Sequence, residues 1–317
     1  MFLGHRATCF VGMTGARWCT GENLSGELGL GDLTNRQAFE RAVDGENWKT
    51  INNFYGATHG IRNGRVWRWG QWTDDNTVPI DDSSADLIQA ELGDVDLECL
   101  WMQDFTANCD AGHAQWRSIA SGGSHTCGVT MADQRLFCQG ENRHGSIGQP
   151  SSVASTQTMM EVGAGLGPWA DVATGGNGSN GVTCARTVAG QLYCFGDPAL
   201  TGTNGVDTAE TPVLINSDTD WTWVQSRYER TCAGKADKRV FCWGTDTFGA
   251  FIVPGQHTVP VPTQVDGLYD HFVLGGHHAC GQTTDGRWQC FGWNNAGQLG
   301  IGTTDTPDGF VGMCAAN

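Results

Sequence analysis

Nine histidines are spread along the 317 residues, and four of them fall at one level of a recurring pattern. Aligned on the cysteine that follows, the paired residues read Arg6-Ala7, Ser124-His125, Gly181-Val182, Glu229-Arg230 and His277-His278, with His5, Tyr55 and Tyr228 beside them. Imidazole with carboxylate suits zinc, manganese or iron, so His5, His125, His277, His278 and Glu229 are candidate ligands of one divalent metal. Such an ion turns water into a nucleophile and polarises a phosphoryl or acyl oxygen. Arg6 and Arg230, with Glu229, then form the candidate catalytic set, the arginines stabilising developing negative charge. Read for binding instead, the same level offers His5, Tyr55, His125, Tyr228, His277 and His278 as a contact ring. Other catalytic signatures are missing: there is no G-x-S-x-G elbow, no P-loop and no H-E-x-x-H. Gly163-Ala-Gly-Leu-Gly167 lacks the strand-to-helix context of a nucleotide loop, and His144 and His257 read as surface residues.

The elements that must position these residues are marked by cysteines. Five pairs lie ten or eleven apart: Cys9/Cys19, Cys127/Cys138, Cys184/Cys194, Cys232/Cys242 and Cys280/Cys290. Cysteine zinc sites use C-x₂₋₄-C pairs, and the chain has none. Each pair instead brackets a turn signal such as Thr284-Asp285-Gly286. A three-residue turn there sets Cys280 opposite Cys290 on adjacent antiparallel strands. Cross-strand neighbours are close enough to bond, so five hairpin disulfides are expected. Thirteen cysteines used this way imply an oxidising compartment, extracellular or periplasmic.

The text around each pair repeats as well. The second cysteine leads into Cys19-Thr20-Gly21, Cys138-Gln139-Gly140, Cys194-Phe195-Gly196, Cys242-Trp243-Gly244 and Cys290-Phe291-Gly292. Arg68-Trp69-Gly70 is a copy without cysteines, in which an Asn63-Gly64 turn sets His59 opposite Arg68. The closing glycines 21, 70, 140, 196, 244 and 292 are 49, 70, 56, 48 and 48 residues apart, and the interval from the last round to the first is 46. A period of this size that returns on itself belongs to a radial array. A turn, a β-rich stretch and an aromatic-led strand such as Trp116-Arg-Ser-Ile119 or Trp169-Ala-Asp-Val172 follow each glycine. A glycine-rich corner, as in Ser121-Gly-Gly-Ser-His125, then enters the next hairpin. About four short strands per unit, without helical periodicity, predict an all-β closed propeller whose aromatic residues pack between blades.

His125-Thr-Cys-Gly-Val, Leu136-Phe-Cys-Gln-Gly-Glu-Asn and Cys290-Phe-Gly-Trp-Asn-Asn-Ala-Gly-Gln-Leu-Gly resemble regulator of chromosome condensation repeats, most of all the bacterial, cysteine-bearing variety. The resemblance covers nearly the whole chain and is specific to fold, not to function. That family usually closes seven blades. Six hairpins are present here, so six four-stranded blades are expected, with seven as the alternative. The N-terminal hairpin and a strand from residues 308–313 would share one blade, which removes open sheet edges. Because the family pattern itself carries a histidine at the His125 and His278 position, a corner-stabilising hydrogen bond competes with a ligand role there.

Residues 1–317 are read as one domain, interrupted by an insertion at 81–113. That insertion holds nine Asp and Glu and no Lys or Arg, more than half the net charge of −16. Cys99 and Cys109, again ten apart, would staple it. It reads as a solvated loop, a lid over one mouth, or less well a calcium site, since the EF-hand spacing is missing. Cys314 is left over, free or bonded between chains. The acidic balance argues against a nucleic-acid partner, no apolar run reaches the roughly 18 residues of a membrane helix, and no secretory signal opens the chain.

Two functions lead, and a third, a carbohydrate- or surface-binding repeat protein, draws weaker support from the thirteen tryptophans. One is a secreted, monomeric propeller that binds a protein or small-molecule ligand at one loop-lined mouth. This follows the resemblance to a bacterial relative of that family, which uses aromatic residues on one propeller face to inhibit β-lactamases. The other is a metal-dependent hydrolase of phosphoesters or phosphotriesters built on the histidine-rich level. The eukaryotic role in nucleotide exchange on a small GTPase fits poorly with the acidic charge and disulfides.

Overall fold

The computed structural model describes residues 1–12, 14–42, 48–54, 57–62, 65–70, 84–89, 116–122, 124–177, 179–205, 209–245, 258–307 and 309–312. Among them are six four-stranded antiparallel sheets, each with its strands in chain order. They span residues 2–41, 48–89, 116–162, 169–214, 221–264 and 269–312, here blades 1 to 6. Blades 1 and 2, with blade 6 from Asp270, lie in one compact unit, and blades 3, 4 and 5 lie in a second.

Each blade is built on its central hairpin. The register sets Cys9 opposite Cys19, Cys127 opposite Cys138, Cys184 opposite Cys194, Cys232 opposite Cys242 and Cys280 opposite Cys290. All five pairs are bonded, with Cα atoms 4.0 to 4.2 Å apart. In blade 2 His59 stands opposite Arg68 in the same register. Cys99, Cys109 and Cys314 lie outside the described residues, as does most of the 81–113 segment. Ser84–Gln89 of that segment is the outer strand of blade 2.

The expectation that the chain termini share one blade is corrected. Phe2–Leu3 pairs with Thr8 and Cys9 of its own hairpin, and Val311–Gly312 pairs with Gln289 and Cys290 of the last one. Each terminal segment is long enough to supply the fourth strand of its own sheet, so six complete sheets form without an exchange.

The core lies between blades rather than within them. Leu3 meets Cys280, Cys290 and Leu299, and Ala7, Cys19 and Leu28 meet Trp48, Ile51 and Trp69. In the second unit Trp169 packs on blade 3 and Trp221 on blade 4. Each buried tryptophan withdraws about 150–250 Å² from water, a gain of about 4–6 kcal/mol. Four of the five disulfides, those of Cys9, Cys127, Cys184 and Cys280, sit in these clusters, where they add apolar volume as well as a covalent tie.

The closing glycine carries the tightest constraint. Gly21, Gly140, Gly196, Gly244 and Gly292 all have φ of +109 to +117°, and the outer strand shifts register just before four of them. The next amide donates back to the corner carbonyl: Glu22 to Arg6, Glu141 to Ser124, Asp197 to Gly181, Thr245 to Glu229 and Trp293 to His277, at 2.8 to 2.9 Å. A Cβ at Gly244 would stand 2.1 Å from the Glu229 carbonyl oxygen. Gly244→Ala is therefore expected to cost about 3 kcal/mol or more in urea unfolding. Gly286→Ala, at φ +86° with nothing within 4 Å, is expected to cost about 1–2 kcal/mol from left-handed backbone alone. Equal costs would contradict a steric role for the closing glycine.

Candidate functional site

In five hairpins the bond from the post-glycine amide to the corner carbonyl is a clip that puts two residues side by side: the corner residue and the one after the closing glycine. In the first unit this level gathers His5, Arg6, Glu22, His277 and Trp293. The Arg6 guanidinium lies over the Trp293 ring at 4.7 Å and donates from Nη1 to Glu22 Oε1 at 3.1 Å. His277 meets Trp293 edge-on at 5.5 Å. His5 and His277 face each other with their Nε2 atoms 3.1 Å apart. All five side chains are partly exposed. Backbone fixes the two histidines: Gly276 N–H donates to Gly4 C=O at 2.7 Å, and a Cβ at Gly276 would come within 2.7 Å of the His5 Cα.

His278 is one residue from His277 and faces the opposite way, fully buried. Its Nε2 lies 2.7 Å from Thr8 Oγ1, and that hydroxyl donates to the Gln298 carbonyl at 2.7 Å. A hydroxyl has one proton to give, so the Nε2–H of His278 is the donor. His125 makes the same joint in the second unit, with Thr183 Oγ1 at 2.8 Å and Thr183 donating to Ser146 C=O at 2.7 Å. Thr58 repeats the hydroxyl half on Glu27 C=O. His125 and His278 are thus interior joints between consecutive blades and present no ring nitrogen to a ligand at the corner surface.

In the second unit Glu229 Oε1 accepts from Asn177 Nδ2 at 2.8 Å and Asn180 Nδ2 at 2.7 Å. This carboxylate ties two corners together. Arg230 is buried, 2% exposed, within Arg230–Lys235. Tyr228 turns the corner at φ +51°, and its carbonyl accepts from Gly176. Tyr55 lies outside the described residues. The five metal-ligand candidates divide between the units: His5, His277 and His278 in the first, His125 and Glu229 in the second. Among the described residues no three His, Cys, Asp or Glu side chains are grouped to hold a metal ion. Glu22 and Trp293, which complete the first-unit cluster, escape a reading aligned only on the first cysteine. Aligning the repeats one residue past the closing glycine finds both.

No family model matches the chain. It is 26% identical over 193 residues to human E3 ubiquitin-protein ligase HERC2, covering 59% of this chain and 4% of that protein, and the mouse protein matches alike. The chain thus spans a small fraction of the curated relatives it matches. Solved structures extend over nearly all of it. Human WBSCR16 superposes with a TM-score of 0.58 at 14% identity, over 99% of this chain and 80% of that one. Kap60-bound yeast RCC1 (Prp20) gives 0.59 at 15%, over 99% and 74%. Prp20p from Saccharomyces cerevisiae gives 0.57 at 15%, over 99% and 76%.

The buried joint has a pH signature. Burial holds the His125 ring at about 4, against an ordinary value of 6.5. Between these two values the unfolded chain takes up a proton that the folded one refuses. His125 therefore costs no stability above the ordinary value and withdraws up to about 3 kcal/mol as pH falls through the window. His125→Gln is expected to flatten urea midpoints over this window relative to the parent. An unchanged pH dependence would contradict the assignment.

Proposed function

From the RCC1-type repeat β-propeller fold that this chain adopts, we propose that it is a protein-binding propeller of an oxidising, extracellular-type compartment, with the first-unit cluster as part of its contact face. The observation that carries this is Trp293, partly exposed and held between the Arg6 guanidinium and the His277 edge. Tryptophan and arginine are the residue types that dominate binding hot spots. Here both stand on clipped corners, so little side-chain freedom is lost on binding. Structural relatives support the reading: yeast RCC1 is seen bound to Kap60, and Prp20p has binding properties to Gsp1p and histones. The net charge of −16 favours basic protein surfaces and opposes phosphate backbones. The five disulfides support the compartment.

The hydrolase reading requires its ligands to converge. Of the three that lie in the first unit, His5 and His277 meet, while His278 is turned into the blade joint. No observation favours catalysis over binding.

A photo-reactive aromatic residue in place of Trp293 is expected to cross-link one or a few protein partners in the native milieu. The same residue in place of Val188, 51% exposed in a blade 4 turn, is expected to give none of those adducts. Identical adducts from both positions, or none from 293, would sink the assignment of this face. For the compartment, the ten cysteines bonded here leave three of the thirteen, so thiol titration of the denatured, unreduced protein is expected to find at most three. A higher count would contradict it.

A further inference from the structure

We infer that His5 and His277 form a two-imidazole chelate for a divalent ion of the late first transition row, such as nickel, copper or zinc, bridging blades 1 and 6. The two Nε2 atoms are 3.1 Å apart. Two imidazole nitrogens on one such ion, each about 2.0–2.1 Å from it at angles between square and tetrahedral, lie about 2.8–3.4 Å from each other. The observed separation is already that bite. In the metal-free state the same atoms satisfy one another as donor and acceptor; as the ion binds, the donor ring's proton passes by way of solvent from Nε2 to Nδ1, so both rings coordinate as neutral imidazoles.

The corner backbones keep this geometry from relaxing. The Gly276 amide is bonded to Gly4, and the His277 carbonyl accepts the Trp293 amide at 2.9 Å. Gly276 presses on the His5 backbone too closely to tolerate a side chain. Both rings are partly exposed, which gives an ion access. Glu22 is committed to Arg6, and among the described residues no third His, Cys, Asp or Glu joins the pair. The site is a two-point anchor of imidazole chemistry, the donor type that suits these ions rather than calcium or magnesium. It requires no protein partner and stands whether or not the binding face proposed above is correct.

The test uses the full chain without a polyhistidine tag, titrated with nickel chloride in a calorimeter at about pH 7.5, where imidazole is neutral. One ion per chain is expected. His5→Ala and His277→Ala are each expected to weaken binding at least about tenfold, and the double variant to lose it. His271→Ala, an exposed histidine elsewhere in blade 6, is expected to bind as the parent does. Copper(II) is expected to quench fluorescence through Trp293, 5.5 Å from the His277 ring, and Trp293→Phe to lose that quench while keeping the affinity. No binding by the parent, or parent-like binding by the double variant, overturns the site. Should the alanine variants not fold, electron paramagnetic resonance of the copper-loaded parent decides: two imidazole nitrogens on the copper support the chelate, and one or none overturns it.

Discussion

Among the described residues, every cysteine-bearing hairpin ends where a glycine lies against the carbonyl of the corner that began it. No side chain fits between them: at Gly21, Gly140, Gly196, Gly244 and Gly292 a Cβ would fall 2.1 to 2.6 Å from that oxygen. The approach lets the next amide reach the same carbonyl, which closes the corner and hairpin into one rigid piece. Two side chains per blade are thereby set next to each other by backbone alone. The candidate site is a consequence of that closure, because Arg6 and Glu22, and His277 and Trp293, are clip partners in blades 1 and 6.

Between blades the order is kept by buried polar joints in an otherwise apolar seam. Thr8 and Thr183 each accept from a histidine of the preceding blade and donate to its turn carbonyl. Arg17 does comparable work between blades 1 and 2. It is fully buried, donates to the Leu28 and Gly29 carbonyls, and lies against the Trp69 ring at 4.7 Å. A buried polar group left unpartnered costs about 1–3 kcal/mol, so these joints also exclude seams in which the blades have slipped.

The hairpins were legible in the amino-acid sequence because their information is local. A cysteine pair ten or eleven apart, a turn signal and a closing glycine specify register without reference to anything distant. The terminal strands were not, since two-residue strands such as Phe2–Leu3 and Val311–Gly312 carry no periodicity. Of the site candidates, His277 and His278 show the difficulty most clearly. Neighbours along a strand face opposite ways, so the first reaches the surface cluster and the second enters a joint with Thr8, 270 residues away. Composition marks both as potential ligands, and only the register separates them. Trp293 and Glu22 were within reach of a reading aligned on the closing glycine, whereas the burial of Arg17 depends on tryptophans of the next blade.

The protein is thus a set of rigid corners on which a few side chains vary. Blades 1 and 6 carry aromatic and cationic groups suited to gripping a partner, while the Glu229 corner spends its carboxylate on Asn177 and Asn180. All of this rests on the clip between corner carbonyl and post-glycine amide. Native-state hydrogen exchange at Glu22, Glu141, Asp197, Thr245 and Trp293 tests it most directly. If the clips hold the corners, these five amides exchange as slowly as those of the buried central strands and open only with the blade; exchange as fast as in exposed turns would contradict the account.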